Sequence, residues 1–462
     1  MSDNPLGLLL AVVVVGQLLV VVGLLLRVRP QRGVLALALL APFDGLLLLV
    51  PHPALVNGWK EALVLATLAA AVVAPASVRG LPGRALPGWA PALLALVVLG
   101  AGSALLVGGI QGVVGMKVNF FYLLLIPTLW LCPLGIRDRD RLVSLLMLTG
   151  VLAAIVGLTQ QALGGEALNR LGYEYNTTIR TAGGLLRSFS TFNQPFPFGL
   201  YEMLVLLIGV PVALSEPGRR RNRLFLLFTP LLVVGMLSSI VRAAILGLVV
   251  GAVFLWWHRD RVLAHIVPFL LVAALFVPAA IYVPLLSPTS LGQRSAGWSQ
   301  TFGEVLAAPL GNGIGASGSA AEKAAQVAGL RPETYQPDNY YFKTAYELGP
   351  IGLWLLVLVL VAAFGAARRA SDALETAART GAVDALQARR DAALAAGMAA
   401  SVLAASVASV VATYFEIFPL DLFFWLLLGV LPSLTPASRT PLSPSAPAAA
   451  VSRPTSASSS VP

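Results

Sequence analysis

Arg242 sits within an apolar run from Leu224 to Trp257. A guanidinium in that setting is expensive unless it lies at a membrane boundary or lines a polar cavity. At about 1.5 Å per residue the run would extend roughly 50 Å against a hydrocarbon core of about 30 Å, so the chain must bend inside it. The polar cluster available for the bend is Ser238-Ser239-Ile240-Val241-Arg242. Four further cations, Lys60, Lys117, Arg187 and Arg294, lie where an apolar segment meets the side that charge distribution makes external, or close to it. Several cations at that depth call for an anionic partner. Diphosphate suits arginine, whose planar fork bonds two oxygens at once. Snorkelling to lipid headgroups is the competing reading and stays open at Lys60 and Lys117. At Arg242, apolar on both sides, anion binding is preferred.

Other residue patterns carry less chemistry. His52, His258 and His265 are scattered between the two membrane faces without ligand spacing, and Cys132 is the only cysteine, so neither a metal site nor a disulfide is expected. Gly311-Asn312-Gly313-Ile314-Gly315 does not follow a strand in a βαβ unit. It is expected to be a turn folding a loop back onto the bundle rather than a nucleotide site. A pI near 10.1 could indicate nucleic acid. The basic residues are dispersed through short loops, however, and membrane topology explains them better.

Positioning such cations requires a membrane bundle, and composition demands one. The chain is 57% hydrophobic and 11% charged, with mean hydropathy +0.83, values foreign to soluble domains of this length. The expected fold is all-α, a polytopic bundle of about 13 transmembrane helices (12–14). The spans fall near 7–26, 34–50, 59–78, 89–109, 118–135, 141–163, 195–215, 223–240, 242–257, 262–286, 347–366, 391–413 and 418–434. Alternate loops and the tail hold 21 of the 31 Lys and Arg residues. That side is expected to be cytoplasmic, with the N-terminus outside and the C-terminus inside. The opening Met-Ser-Asp-Asn-Pro has no basic stretch, so no cleaved signal peptide is expected.

The bundle domain, 1–434, includes two substantial external loops, 164–194 and 287–346, and long polar loops on one face usually carry function. Ser319–Gly329 is expected to form a short interfacial helix, and 367–390 a helical extension with a hinge. The tail 435–462 is Pro/Ser/Ala-rich with little to bury, hence disordered and cytoplasmic.

Four stretches, in order, resemble the O-antigen ligase and O-antigen polymerase superfamily of bacterial membrane glycosyltransferases. They are Arg187-Ser-Phe-Ser-Thr-Phe-Asn193-Gln-Pro195, and Ser238-Ser239-Ile240-Val241-Arg242. They continue with Arg294-x-x-x-Trp298 followed by Pro309-Leu-Gly311-Asn-Gly313-Ile-Gly315, and Asp338-Asn339-Tyr340 followed by Glu347-Leu-Gly349-Pro-Ile-Gly352. The resemblance is close over about 185–355 and rests on hydropathy elsewhere. It implies a GT-C-type fold in the bacterial plasma membrane and a polyprenyl-diphosphate-linked glycan donor. It also implies a glycan, lipid or other hydroxyl acceptor, contact with membrane lipids, and no cofactor.

Within this resemblance Arg187, Arg242 and Arg294 hold the donor diphosphate. Asn193, Asn339, Glu347, Lys60 and Lys117 join the substrate-binding set. Where the family pattern has histidine before asparagine, this chain has Asp338. In the family that histidine is the proposed base, and a tuned carboxylate can do the same. Orienting an acceptor or an arginine, or capping the next helix, are the other roles open to Asp338. Arginines stabilise the leaving diphosphate without a metal, and displacement at the anomeric carbon inverts it. The rival function is a transporter or flippase of an anionic lipid-linked sugar. It would need polar residues deep in the spans, whereas the cations here cluster at one face.

Overall fold

Apolar segments rich in Leu, Val and Ala form helices because a bilayer leaves backbone groups no partner except each other. The computed structural model describes residues 29–49, 58–76, 78, 79, 86–258, 302, 303, 305, 308–329, 338–381 and 384–434. In chain order the helices are α1 Gln31–Leu40, α2 Trp59–Val73, α3 Ala90–Val107, α4 Gly109–Phe120, α5 Leu125–Leu131 and α6 Ile136–Arg170. They continue as α7 Pro195–Ser215, α8 Arg220–Ser238, α9 Arg242–His258, α10 Gly318–Val327, α11 Tyr340–Thr380, α12 Ala385–Ala408 and α13 Leu420–Val430. Among the described residues eight segments are long and apolar enough to cross a membrane, and Arg242–His258 and Leu420–Leu434 are shorter apolar helices. The expected spans 7–26 and 262–286 lie outside the described residues. Expected span 118–135 is divided, with α4 and α5 separated by a 3-10 turn at Phe121–Leu124.

α7 and α12 form the centre and are buried along most of their length. α12 can sit there because it is built from Ala, Gly and Ser, which let backbones approach closely. A Cβ on Gly397 would lie 2.8 Å from the Leu207 carbonyl oxygen of α7. Gly247 and Gly251 of α9 similarly face the backbone of Ala404 and Ala400. Three arginine-rich connections meet at one end of the bundle. There a buried Arg139–Asp391 pair (2.9 Å), Arg219 and Arg221 on Asp140 (2.7 and 2.9 Å), and Arg390 on Glu216 (2.6 Å) join α6, the α7–α8 connection and α12.

One element departs from the all-α expectation. In the loop 164–194, strands β1 Arg180–Ala182 and β2 Leu185–Arg187 form an antiparallel hairpin around Gly183-Gly184. Both glycines have positive φ, the geometry that tight hairpin turns require. α11 ends at Thr380 before the left-handed Gly381, and Asp384 caps α12.

Candidate functional site

Two interruptions of helical backbone build the end of the bundle opposite the Arg139–Asp391 pair. The first separates α8 from α9. Ile240 has φ 54°, a conformation costly for a β-branched residue, of order 1–3 kcal/mol, and maintained only where surroundings dictate it. The surroundings here are specific. In a continuous helix the Ser238 and Ser239 carbonyls would accept from residues 242 and 243. Instead Ser238 O accepts from Ser188 N (3.0 Å) and Gln161 Nε2 (3.3 Å), and Ser239 O accepts from Arg187 Nε (3.1 Å). The break thus converts helix carbonyls into a docking strip for the Arg187 segment.

α6 supplies the other half of that dock. Gln160 Oε1 accepts from Phe189 N and Ser190 N (3.1 and 2.7 Å) while its Nε2 donates to Ser190 O (2.8 Å). Gln161 Nε2 reaches Leu186 O at 2.6 Å. Farther along, Thr191 Oγ1 donates to Pro42 O (2.6 Å), and a Cβ on Gly45 would collide with the backbone of Phe192 and Asn193. Arg187 is thereby held on a frame touching α6, α8 and the 3-10 helix Ala41–Leu49. Its guanidinium lies 5.0 Å over the Phe196 ring. Among the described residues neither Nη1 nor Nη2 has a hydrogen-bond partner.

Arg180 faces Arg187 directly across the hairpin, and Arg242 opens α9 beside them. Burial first, then the like charges of Arg180 and Arg242, pull the Arg187 pKa down to about 10. Three guanidinium groups therefore repel one another around an arginine whose fork is uncommitted. The sequence groups Arg187 with Arg242 and Arg294; the register of the hairpin adds Arg180. Arg294 and Trp298 lie outside the described residues. Asn193 is exposed at the head of α7.

The second interruption is inside α11, at Gly349 (φ 70°, ψ −178°) followed by Pro350. Proline lacks the N–H that would bond the carbonyl four residues back. That carbonyl, Tyr346 O, instead accepts from Asn312 N at 2.7 Å, and Glu347 O accepts from Gly313 N at 3.0 Å. The glycine-rich loop expected to fold onto the bundle does so here. A Cβ on Gly349 would lie 2.3 Å from Pro309 O, and one on Gly311 2.4 Å from Glu347 O. Only glycine fits at either position.

Beside this dock lies a buried ionic cluster that sequence reasoning missed. Lys343 is fully buried. Its Nζ lies 3.0 Å from Glu347 Oε2, 3.4 Å from Glu416 Oε2 and 3.3 Å from Asn119 Oδ1. Glu347 Oε1 accepts from Ser317 N and Oγ (3.2 and 2.9 Å). Both Glu347 oxygens are thus taken by protein donors, and they anchor the start of α10. The i,i+4 spacing of Lys343 and Glu347 signalled a pair. Nothing local signalled Glu416, which arrives from beyond α12.

Asn339, not Asp338, caps α11: its Oδ1 accepts from Tyr341 N (2.9 Å) and Phe342 N (3.2 Å). The cap that the sequence left as an alternative role for Asp338 thus falls one residue later, because the chain enters α11 extended at Asn339 (φ −142°, ψ 117°). Asp338 is exposed at the preceding bend.

Lys60 and Lys117 belong to a neighbouring patch. Lys60 pairs with Asp44 (2.9 Å) and lies 4.0 Å over the Phe418 ring, and Lys117 pairs with Glu61 (2.8 Å). Asp44 escaped notice because 34–50 reads as a span. Its carboxylate also accepts from Trp59 Nε1 at 2.9 Å.

Two docked loops and a group of arginines thus lie at one end of a bundle that has eight membrane-length helical segments among its described residues. Residues 225–357 match the O-antigen ligase family. The chain is also similar to an O-antigen polymerase from Salmonella muenchen, 23% identical over 246 residues, which is 49% of this chain and 60% of that protein. Both likenesses point to the O-antigen ligase and polymerase superfamily of membrane proteins. The match spans about 60% of the length of that curated relative.

Proposed function

We propose that the protein transfers or polymerises a polyprenyl-diphosphate-linked glycan onto an acceptor hydroxyl at the external face of a bacterial plasma membrane. The observation that carries this reading is Arg187. It is tethered through Nε to the Ser239 carbonyl, leaves its two terminal nitrogens uncommitted, and sits among like charges. That is an arrangement for a dianionic group, and the planar fork matches diphosphate oxygens. The positive-inside distribution favours the same end being external, with the C-terminus cytoplasmic.

In this reading the acceptor oxygen forms a bond to the anomeric carbon from the face opposite the diphosphate. The bond from that carbon to the diphosphate oxygen breaks, and the electron pair leaves with the polyprenyl diphosphate. Arg187 and Arg242, with Arg294 from the adjoining motif, stabilise that developing charge without a metal. Asp338 takes the acceptor proton, and inversion follows from the single displacement. Asn193 and Asn339 flank the donor site. The proposed part of Glu347 is to hold the glycine loop and α10 in place, since both its oxygens are already engaged.

Reconstituted protein given a radiolabelled polyprenyl-diphosphate glycan and an acceptor should release polyprenyl diphosphate. Asp338→Asn should abolish release while preserving binding of the donor, and Asp338→His should restore part of it. Translocation of intact donor with no release would make the protein a transporter, and full turnover in Asp338→Asn would remove Asp338 as base.

A further inference from the structure

We propose that Lys60, Lys117 and Lys323 form a second anion subsite, separate from the arginine site, that receives a carboxylated sugar of an acidic glycan. The proposal rests on the glycan-transfer reading and specifies the substrate class of that reaction. The three lysines come from different elements. Lys60 stands at the start of α2, Lys117 on α4, and Lys323 on α10, which packs against α4. Lys117 bridges to Glu61, the residue next to Lys60, so α4 and α2 are joined at this point. α10 is set over α4 by Ser317, which donates to Glu347 of the buried Lys343 cluster. Packed elements therefore bring the patch together, with Lys117 and Lys323 presented at its surface.

Its charges are unevenly matched. Lys60 and Lys117 each have a carboxylate, Asp44 and Glu61. Lys323 is exposed, and among the described residues no atom lies within hydrogen-bond or ion-pair distance of its ammonium. The surrounding protein, followed by the charges of Lys117 and Lys60, lowers its pKa, against the opposing pull of Glu416 and Asp421. Glu416 is already bound to Lys343. An incoming anion would relieve the repulsion among the three ammonium groups.

One feature favours a sugar carboxylate over a second diphosphate, since lysine's point charge lacks the fork and accepts either anion. The patch carries half-exposed aromatic surface: Phe418 beneath Lys60, and Trp59 held in place by its bond to Asp44. Aromatic faces with a few fixed polar groups are the usual lining for a pyranose ring.

The test is binding to the full-length protein in detergent, with tetragalacturonate, maltotetraose and inorganic diphosphate as probes. Tetragalacturonate should bind and maltotetraose should not. Lys323→Gln or Lys117→Gln should weaken tetragalacturonate by about fivefold or more, and Arg187→Lys should leave it unchanged while weakening diphosphate. Equal binding of the neutral and acidic tetramers would overturn the proposal. So would an unchanged affinity in Lys323→Gln, or displacement of tetragalacturonate by diphosphate, which would make the patch a phosphate site. Loss of diphosphate binding alone bears on the arginine site and the transfer reading, not on the lysine patch.

Discussion

Replacing Arg187 with lysine keeps the charge and removes the geometry, and the structure says what that should cost. The native Nε bond to Ser239 O at 3.1 Å orients the guanidinium plane, leaving the two terminal nitrogens for ligand. A lysine ammonium cannot hold the Ser239 carbonyl and present a two-pronged edge at once. The loss is about one charge-assisted hydrogen bond, roughly 1.5–3 kcal/mol, so kcat/KM should fall by roughly 10- to 150-fold. Stability should change little, since only one bond to a carbonyl and a contact with the Phe196 ring are altered, on the order of 1 kcal/mol.

A pH effect accompanies the rate effect. The surroundings that bring Arg187 to about 10 would act on a lysine that starts from about 10.4. The cation is the binding form, and its pKa is lowered, so binding is present at low pH and lost as pH rises through the lowered value. The wild type should hold its activity until near pH 10, whereas Arg187→Lys should lose what remains at mildly alkaline pH. Turnover of reconstituted protein across pH 6.5 to about 9.5 reads both effects. A variant with near-normal kcat/KM and a flat profile would refute the claim that this arginine binds the diphosphate through its fork.

Gly349→Ala places a Cβ 2.3 Å from a backbone oxygen at φ 70°. It should cost about 3 kcal/mol or more, seen as protease sensitivity across 308–329, and a variant as resistant as wild type would mean the loop is not docked there. Lys343→Met strands two buried carboxylates and should lower stability by about 3–5 kcal/mol in thermal unfolding. Adding Glu347→Gln and Glu416→Gln should recover most of that loss, and a triple variant no better than the single one would refute the ionic-lock account. Ser319→Cys in a Cys132→Ser background should label from outside the cell; labelling only from the cytoplasm would invert the proposed topology.

The bend at Ser238–Arg242 was legible because length is a hard constraint. An apolar run far longer than a bilayer must break, and it breaks where polar residues allow it. What the break accomplishes was not legible. The carbonyls of Ser238 and Ser239 become acceptors only because Ile240 takes a left-handed conformation that its side chain disfavours, and local preference argues against that conformation. The hairpin did have a local signal, since Gly183-Gly184 is a turn pair between two short strand-compatible stretches, Ile179–Ala182 and Leu185–Arg187. Lys343 shows the opposite failure: its pairing with Glu347 could be read from spacing, yet its burial depends on Glu416 and Asn119, set by how α12 and α4 pack. The capping error at Asp338 is a shift of a single residue, within the usual uncertainty of a helix boundary.

The two interruptions share one physical logic. Each removes intrahelical acceptance from two consecutive carbonyls, Ser238 and Ser239 in one case and Tyr346 and Glu347 in the other, and each gives those carbonyls to an incoming loop. A carbonyl left without a donor at a membrane boundary is costly, so the loop and the break stabilise each other and neither is stable alone. This places Arg187 and the glycine-rich loop on rigid helices although both belong to connections. It also explains why polar motifs distant in sequence meet at one end of an otherwise apolar bundle. If the logic holds, repairing either break should undock its loop. Removing a donor from the dock tests the same logic: Gln161→Leu deletes the Nε2 that reaches Leu186 O, Ser188 Oγ and Ser238 O, and should loosen Arg187 before it loosens the bundle. The readout is protease cleavage within 176–190 at temperatures where α7 and α12 remain protected; simultaneous loss of both would show that the loop is not an independent unit.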